Sequence, residues 1–518
     1  MRGQFLTSSV YSFENMRNGN FLYVDKTEYI WKLIEPANAM YFLSRPRRFG
    51  KSLTLSTLKA VFQGRKELFK GLALYDKPYD WKPYPVIHLD MNGRRYDSLE
   101  NLERSLREIM KEQALFHHID MEYEASETML QKLIVQLSRD SQVVLLIDEY
   151  DKPILENIAS PDAQKFVRAL KSFYSVVKEK AGLIRFAFVT GVSKFCHVSL
   201  FSDLNNLNDI SMDSFYATMF GYTQDELEKY FGSRIAELAV RLNLPELELK
   251  KKLKDWYDGY RFEEESATVY NPVSLALFFS EEKFRNYWFS TGTPSFLLEL
   301  MKKSSFNLEE ALSEPISGFA FDAYELPNIN PLTLLLQTGY LTIGEAFEKY
   351  GDTVYRLRFP NLEVKGAFDT YLTSDYSGLR ADQVKDSVYK LADFVAEGNV
   401  DGFMKTMKVF FAKTSFVLHK RDENNFQVLF FAIFMLLGIS IRAESRTNEG
   451  QIDAVAENEN FVFIFEFKLN KTAKIALEQI KKRDYYRRYM NSGKKIMLVG
   501  VNFDSGKGQI ADWTHETL

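Results

Sequence analysis

Short apolar runs alternate with helical patterns through the first 210 or so residues of the chain. The runs are rich in β-branched and aromatic residues, and they cover residues 40–43, 86–90, 143–147 and 185–190. Strands that are buried on both faces of a parallel sheet read as nearly continuous apolar runs, and helices form the connections between them. The pattern therefore predicts a parallel α/β sheet, and we place this first domain at residues 1–213.

The rest of the chain changes pattern twice. Residues 214–365 read as amphipathic helices broken by aromatic turns such as 256–260, which indicates a helical lid or adaptor region. Residues 366–420 are again helical, and we interpret them as a helical linker region. From residue 421 to 518 the order becomes helix, strand, strand, helix, strand, which predicts a separate C-terminal α/β domain. The predicted fold class is a multidomain α/β protein.

Length and composition limit the class of protein. The 518 residues exceed the roughly 250 to 300 at which a single core stops growing, so several domains are expected. A net charge of -4 gives no overall attraction to nucleic acid, so such binding would need a local basic patch. A single cysteine, Cys196, excludes an internal disulfide and a cysteine zinc cluster. We find no apolar leader or membrane-spanning run, and we expect a cytoplasmic chain with no membrane partner.

Residues 42–52 form a candidate phosphate loop that runs from an apolar strand into a helical pattern. Backbone N–H groups of such a loop hold phosphates, Lys51 can reach the outer phosphates, and the Ser52 hydroxyl can bind Mg²⁺. Arg45 stands where the first glycine of such a loop usually lies, and its charge joins that of the next two arginines. The alternative is a basic turn before a helix. The predicted nucleotide-binding residues are Arg47, Arg48, Gly50, Lys51 and Ser52.

A second element supports nucleotide binding. The apolar run at 143–147 ends in Asp148 and Glu149. In this arrangement the first carboxylate helps to hold Mg²⁺ and the second orients the attacking water, so Asp148 is a predicted cofactor and metal residue and Glu149 a predicted catalytic residue. The next strand ends near Thr190 and Ser193, whose hydroxyls could sense the terminal phosphate. An ordinary helix cap explains these two residues equally well.

Carboxylates and a lysine cluster near the C-terminus. The segment 450–468 reads as a β-hairpin, and a two-residue loop at 458–459 would pair Asp453 with Ile464. Alternation then places Asp453, Glu466 and Lys468 on one face. Carboxylate oxygens of this kind hold Mg²⁺ or Mn²⁺, and the lysine can position a water for attack on a phosphodiester.

The alternative interpretation, in which the cluster has no chemical function, is a surface ion pair on a hairpin at the edge of a sheet. It is disfavoured because residues 461–467 are apolar on both faces, apart from Glu466, and a buried charge needs a partner or a metal. Glu444 or Glu423 could supply a further metal ligand, although Glu423 also suits a helix N-terminus. Gln479, about one turn into the following helix, is placed to reach the same site and is a predicted catalytic residue.

A basic stretch follows the cluster. Residues 471–488 carry seven lysines and arginines interleaved with tyrosines, opposed only by Glu478 and Asp484. Positive charge with aromatic side chains suits a nucleic-acid backbone, and a solvated helix face is the equal alternative when the stretch is considered alone.

Taken together, these motifs resemble a bacterial family that pairs an AAA-like ATPase domain with a C-terminal nuclease domain of the PD-(D/E)xK superfamily. The resemblance spans nearly the whole chain. It rests on residues 23–27, 45–52, 147–151, 190–194, 271–272 and 359–361 and on the C-terminal Gly450-x-x-Asp453, Glu466-x-Lys468 and Gln479.

We expect ATP and Mg²⁺ or Mn²⁺ as cofactors and nucleic acid as the partner, with DNA favoured over RNA and self-association left open. Our first hypothesis is an enzyme in which the ATPase controls nucleic-acid cleavage, in defence or mobile-element biology. The second is a nucleotide-dependent switch whose C-terminal domain binds nucleic acid without cutting it. The third is a nucleotide-gated protein scaffold that uses the aromatic helical middle.

Overall fold

The computed structural model describes much of the chain and divides it into two compact units. Unit 1 contains Met1–Ser304 and Glu314–Val364, and unit 2 contains Ser305–Ser313 and Lys365–Leu518. The described residues are 4–158, 160–194, 206–288, 311–312, 314–321, 330–377, 380–414, 430, 433, 440–447 and 450–518. Only the backbone is described for 319, 372, 375–377, 381–382, 412–414, 440–447 and 450–452. None of the helices in these ranges is both long and apolar enough to cross a bilayer.

The first part of unit 1 alternates strands and helices. Its elements are α1 (Phe13–Asn18), α2 (Thr27–Ile34), β1 (Ala39–Ser44), α3 (Lys51–Phe62), β2 (Val86–Asp90), α4 (Leu99–Phe116), α5 (Ser126–Leu137), β3 (Val143–Asp148), α6 (Lys152–Leu155), α7 (Ala163–Glu179), β4 (Ile184–Gly191) and β5 (Leu207–Asp209). The strands form one sheet in the order β2-β3-β4-β1-β5, and every pair is parallel. The predicted parallel sheet is therefore confirmed, whereas the short strand β5 was not predicted.

The burial of the strand residues explains why the parallel sheet could be predicted from the sequence. All residues of β3 are buried, and β4 is buried apart from Arg185. Strands covered by helices on both faces keep few polar side chains, so their sequences are continuous apolar runs. Because all five strands run in one direction, the carboxyl ends of β1, β3 and β4 lie at the same edge, where parallel α/β sheets bind ligands.

The second part of unit 1 is mainly helical. It contains α8 (Gln224–Arg241), α9 (Glu246–Tyr257), α10 (Pro272–Glu281), β6 (Ile316–Ser317), α11 (Pro331–Thr338), β7 (Thr342–Lys349) and β8 (Asp352–Arg358). Thr223 and Glu226 form a reciprocal capping box at the start of α8. Strands β6, β8 and β7 form a small antiparallel sheet that was not predicted. Since half of the β7 residues are exposed, its sequence lacks the apolar pattern on which the strand predictions relied.

Unit 2 combines helices with a five-stranded mixed sheet. Its elements are α12 (Leu362–Ser377), which begins in unit 1, α13 (Ala381–Glu397), α14 (Val400–Thr414), β9 (Ser440–Thr447), β10 (Gly450–Glu457), β11 (Phe461–Leu469), α15 (Ala473–Lys482), β12 (Lys495–Asp504) and β13 (Gln509–Thr517). The strand order is β13-β12-β11-β10-β9, and only β11 and β12 are parallel. Strands β9 and β13 were not predicted, and the helix predicted at the start of the C-terminal domain lies largely outside the described residues.

Helix α15 connects β11 to β12 and packs on the face of the sheet that carries Ile464. Leu477 and Ile480 of the helix join Ile464 and Leu498 in one apolar cluster. Gly500 of β12 allows a close approach, because a Cβ atom there would lie 2.3 Å from the Ala473 carbonyl oxygen at the start of the helix. The helix therefore lies directly over the part of β11 that carries Glu466, which pairs in register with Gly500. The α/β fold class is confirmed, and the domain boundaries stay predictions.

Candidate functional site

The loop between β1 and α3 has the curvature of a phosphate-binding turn. Arg48 and Gly50 adopt positive φ angles of 70° and 96°. Gly50 caps α3 in a left-handed conformation that glycine adopts without strain. The first N–H groups of a helix have no acceptor within the helix, so the start of α3 can bind an anion.

Lys51 is buried inside this loop. Its Nζ donates to the Arg45 carbonyl oxygen at 2.8 Å and to the Pro46 carbonyl oxygen at 3.0 Å. Burial lowers the pKa of Lys51, while the nearby charges of Glu149 and Asp148 act to raise it. Both hydrogen-bond acceptors are neutral, so the positive charge of Lys51 is available to a phosphate group.

Ser52 and Asp148 meet at the carboxyl edge of the sheet. The Ser52 hydroxyl donates to Asp148 Oδ2 at 2.6 Å, and burial raises the pKa of Asp148 to about 6. Asp148 Oδ1 is buried and has no hydrogen-bond donor among the described residues. A buried carboxylate oxygen without a partner is unfavourable. These residues therefore fit Mg²⁺, which prefers oxygen ligands.

Glu149 and Thr190 lie at the same edge. Glu149 adopts a positive φ of 52° directly after β3, and its side chain is partly exposed, 4.0 Å from the Lys152 Nζ. The Thr190 hydroxyl is buried without a partner in the described ranges, and its carbonyl accepts from the Tyr150 N–H at 3.1 Å. Asp148 and Thr190 thus lie at the ends of the neighbouring strands β3 and β4, and Ser52, in the first turn of α3, is bonded to Asp148 at the same edge.

Asp151, which the sequence analysis did not select, fixes the turn after β4. Its Oδ2 accepts from the Ser193 N–H at 2.6 Å and from the Ser193 hydroxyl at 2.5 Å, and its carboxylate also accepts from the Val192 N–H. The Ser193 hydroxyl therefore supports the local turn, as in the capping alternative, and it is already committed to Asp151. The signal in the sequence was the second acidic residue of Asp148-Glu149-Tyr150-Asp151.

The three arginines of the loop differ in exposure and in hydrogen-bond partners. Arg47 is exposed, and Arg48 donates from Nη1 to the Tyr287 carbonyl oxygen at 2.7 Å. Arg45 is only 2% exposed and donates to the carbonyl oxygens of Ser44 and Ser211 at 2.8 and 2.6 Å. The expectation that Arg45 adds charge toward the phosphate is wrong, because its guanidinium is directed to the segment after β5.

Glu363 is a second residue that the sequence analysis missed. Its buried carboxylate accepts from the N–H groups of Tyr287 and Trp288 at 2.6 and 2.8 Å and from the Ser274 hydroxyl at 2.8 Å. The same two residues contact the phosphate loop, since the Tyr287 carbonyl accepts from Arg48 and the Trp288 Nε1–H donates to the Arg47 carbonyl at 3.4 Å. Glu363 thus holds the segment against which the phosphate loop rests.

Replacing Glu363 by glutamine should raise stability at alkaline pH. Burial raises the pKa of Glu363 from 4.5 to about 7, so between these values the folded chain holds a proton that the unfolded chain has released. The free energy of unfolding therefore falls as pH rises from 4.5 to about 7. Glutamine does not ionise, so the variant does not lose this stability. We expect a melting temperature about 2–4 °C or more above that of the parent at pH 8, and little difference at pH 4.5. Glu265→Gln, at an exposed position, is the control, and an identical difference at both pH values would contradict the assignment.

In unit 2 the structure brings Glu466, Lys468 and Gln479 into direct contact. Lys468 Nζ donates to Glu466 Oε1 at 2.9 Å, and the Gln479 side-chain amide donates to the same oxygen. Glu466 is 1% exposed, and its Oε2 has no partner among the described residues. Burial, and then the charge of Asp453, raises the pKa of Glu466 to about 7. This orphaned oxygen fits a divalent cation.

The predicted hairpin register is wrong by two residues. Val455, rather than Asp453, pairs with Ile464, and Glu457 pairs with Val462. The pair next to Ala454 and Phe465, toward the open end of the hairpin, is Asp453 opposite Glu466 in the same register. The turn shifts because the Asn458 side chain accepts from the N–H groups of Asn460 and Phe461, so Asn458 precedes the turn instead of occupying its centre.

A shift of two residues preserves the face of each side chain, so Asp453 stays on the Glu466 side. Asp453 Oδ2 accepts from the Phe467 N–H at 2.6 Å, which holds the carboxylate at the edge of β11. The prediction that both faces of β11 are buried is confirmed for residues 462–467. Glu466 is thus a buried charge and not part of a surface ion pair.

The remaining predicted ligands cannot be placed. Glu423 lies outside the described residues, and Glu444 lies on β9, where only the backbone is described. Within the described part of the chain, no group of three or more His, Cys, Asp or Glu side chains is arranged to hold a metal. Asp453 and Glu466, with Lys468 beside them, are the residues that fit the ion there.

The basic stretch forms only part of the lysine-, arginine- and tyrosine-bearing surface that the sequence suggested. Helix α15 ends at Lys482, and a short 3₁₀ turn covers Arg487–Tyr489. Tyr485 and Tyr489 are buried in the apolar cluster beneath the helix, so these two rings are not free to stack on bases. Arg483, whose charge acts to lower the pKa of Glu466, was not selected from the sequence as a site residue.

Two models of known protein families match separate segments of the chain. Residues 8–201 match a family model described as predicted AAA-ATPase, and residues 421–513 match one described as PD-(D/E)XK nuclease superfamily. A protein of Azotobacter chroococcum mcd 1, described as an uncharacterized protein in the vnfD 5' region, is 36% identical over 530 residues, which covers 99% of each chain.

Among solved structures, that of the Aeropyrum pernix ORC2 protein in ADPNP–ADP complexes aligns with 70% of this chain and 93% of its own, at 13% identity and a TM-score of 0.20. A likeness this small carries no argument. The family models and the full-length relative carry the assignment. The chain belongs to the family whose members join a predicted AAA-ATPase domain to a C-terminal PD-(D/E)XK nuclease superfamily domain.

Proposed function

We propose that unit 1 binds and hydrolyses ATP, that unit 2 hydrolyses phosphodiester bonds of nucleic acid, and that the first activity controls the second. One observation supports both activities. Each unit holds a buried carboxylate with an oxygen that lacks a partner among the described residues, Asp148 beside Ser52 and Glu466 beside Lys468. A divalent cation would satisfy both oxygens.

In unit 1 the phosphate groups would lie on the N–H groups at the start of α3, with Lys51 supplying positive charge. Ser52 and Asp148 would hold Mg²⁺, which neutralises charge on the transferred phosphoryl group when bound. Glu149 is partly exposed at the end of β3, where its carboxylate can accept a proton from an attacking water.

Glu149→Gln should keep ATP binding and lose turnover. The amide retains the size of the carboxylate but cannot accept the proton, so we expect the hydrolysis rate to fall by about 100-fold or more. Phosphate release and binding of a fluorescent ATP analogue would be measured on the same preparation. Glu156→Gln, at an exposed position after α6, should hydrolyse ATP like the parent. Equal rates for Glu149→Gln and the parent would move the role to another residue.

In unit 2 Asp453 and Glu466 would hold Mg²⁺ or Mn²⁺, which activates water and stabilises the developing charge. Lys468 would orient the attacking water, and Gln479 fixes Glu466 through its amide. We propose DNA rather than RNA as the substrate and defence or mobile-element control as the setting. The lysines and arginines near α15 would bind the backbone, and their charge makes this binding sensitive to salt.

A cleavage panel on the purified full-length chain tests this function. It would offer single- and double-stranded DNA and RNA, linear and circular, with Mg²⁺, Mn²⁺ or chelator. Cleavage of at least one form that stops in chelator is expected. Salt-sensitive binding without cleavage under any metal would favour the switch hypothesis, and absence of binding at low salt would favour the scaffold.

A further inference from the structure

A cavity of about 60 Å³ lies beside the phosphate loop in unit 1. Ser44, Arg45 and Pro46 form one wall, and Arg261, Phe262 and the start of β7 form another. The lining includes none of the residues that we assign to nucleotide or magnesium. It is a separate space that shares only the first residues of the loop.

Two arginines of this lining have N–H groups without acceptors. Arg45 is 2% exposed, and its Nε has no partner in the described part of the chain. The Arg261 Nε is also buried without a partner there, and its Nη1 makes only a long bond of 3.4 Å to the Gly344 carbonyl oxygen. Both guanidinium groups thus retain donors that could bind an anion.

No carboxylate among the described residues forms an ion pair with either arginine. Asp209, whose charge acts on Arg45, is itself paired with Lys194 at 3.0 Å. The Arg45 guanidinium instead lies over the Phe262 ring at 4.3 Å. The carbonyl oxygens of Ser44, Ser211 and Tyr216 accept hydrogen bonds from Arg45 but supply no counter-charge. A buried charge without a counter-charge favours an incoming anion.

We infer that this cavity binds a small carboxylate with a short apolar tail, held by Arg45 and Arg261. Planar guanidinium groups match a carboxylate, which can accept two N–H bonds. The lining is largely apolar and includes Leu341 and Ile343, which suit a hydrocarbon tail better than the oxygens of a phosphate ion. The volume holds about four to six water-sized groups, which fits the three carbons and two oxygens of propionate.

The site is connected to the phosphate loop through the backbone. The carbonyl oxygens of Arg45 and Pro46, two residues of the lining, are the acceptors of the Lys51 ammonium. A ligand that changes the position of these residues changes the position of Lys51, so the carboxylate and ATP modify each other's affinity by the same factor.

Ligand-observed NMR on the full-length chain tests the inference with propionate as the probe. Propionate should bind saturably, whereas propionamide, which has the same shape without the charge, and inorganic phosphate should bind at least about tenfold more weakly. Arg261→Met should weaken propionate binding by a similar factor, and Arg356→Met, at an exposed position on β8, should not. Equal binding of propionate and propionamide by the parent chain overturns the inference even if Arg261→Met fails to fold.

Titration of ATP at increasing propionate separates this cavity from the nucleotide site. A separate site gives an effect on ATP affinity that levels off at saturating propionate. Unlimited competition would show that the cavity is part of the nucleotide site and would contradict the inference. If the chain bound no ATP, the ATPase proposal would fail, while saturable and charge-dependent propionate binding would still support the cavity.

Discussion

Replacement of Lys51 by alanine is expected to weaken ATP binding on the order of 100-fold, because the mutant loses the charge that the loop directs to phosphate. Among the described residues, the hydrogen bonds of the buried ammonium go to two neutral carbonyl oxygens, which do not neutralise its charge. Equilibrium binding of a fluorescent ATP analogue to the full-length variant measures the effect.

The control must separate loss of charge from loss of structure. Because Lys51 is buried and bonded to its own loop, the alanine variant should also be slightly less stable, and its melting temperature has to be recorded. Lys59→Ala removes a lysine from the same helix, where its Nζ lies over the Phe116 ring at 5.0 Å and not in the loop. Lys59→Ala should bind ATP like the parent. Unchanged affinity in Lys51→Ala would remove the basis for the phosphate-loop assignment.

Replacement of Asp453 by alanine should reduce nucleic-acid cleavage by at least about 100-fold, as expected when a metal-binding carboxylate is removed. Glu466→Gln should have a comparable effect, because the amide retains the volume of this buried side chain but supplies one oxygen instead of a carboxylate. Initial cleavage rates with Mg²⁺ or Mn²⁺ on the substrate identified by the panel would be compared with those of the parent.

Glu459→Ala is the matched control for these variants. Glu459 is an exposed carboxylate at the tip of the same hairpin, and the turn depends on the side chain of Asn458. Its removal should leave cleavage within about twofold of the parent, since exposed substitutions away from special features change little. Equal cleavage by Asp453→Ala and Glu459→Ala, or cleavage that persists in excess chelator, would contradict the metal-dependent mechanism.

The sequence predicted the elements whose burial leaves a clear pattern. Strands β1 to β4 and β10 to β12 are apolar runs, and the even shift in the hairpin register left Asp453 on the expected face. Strand β7 was missed because half of its residues are exposed, and β5 because a run of three residues is too short to show a period. The turn at Asn458 was misplaced because a side-chain hydrogen bond, which alternation does not reveal, sets its position.

The candidate sites were predictable where a motif lies within one segment. Lys51 and Ser52 begin the helix after β1, Asp148 ends β3, and the Glu466-x-Lys468 pair lies near the end of β11. Glu363 and Asp151 were missed because their roles depend on contacts with residues distant in sequence or on a turn that only the fold forms. The orientation of Arg45 was misjudged for the same reason, since its acceptors at Ser211 and Tyr216 follow β5.

Cleavage by the full-length parent and by Lys51→Ala, each with and without ATP, tests most directly whether the ATPase controls the nuclease. Both proteins would be assayed with the same nucleic acid and metal, with Lys59→Ala as the control. We predict that ATP changes the cleavage rate of the parent and of Lys59→Ala severalfold and leaves Lys51→Ala unaffected. A parent whose metal-dependent cleavage is identical with and without ATP would contradict the proposed control.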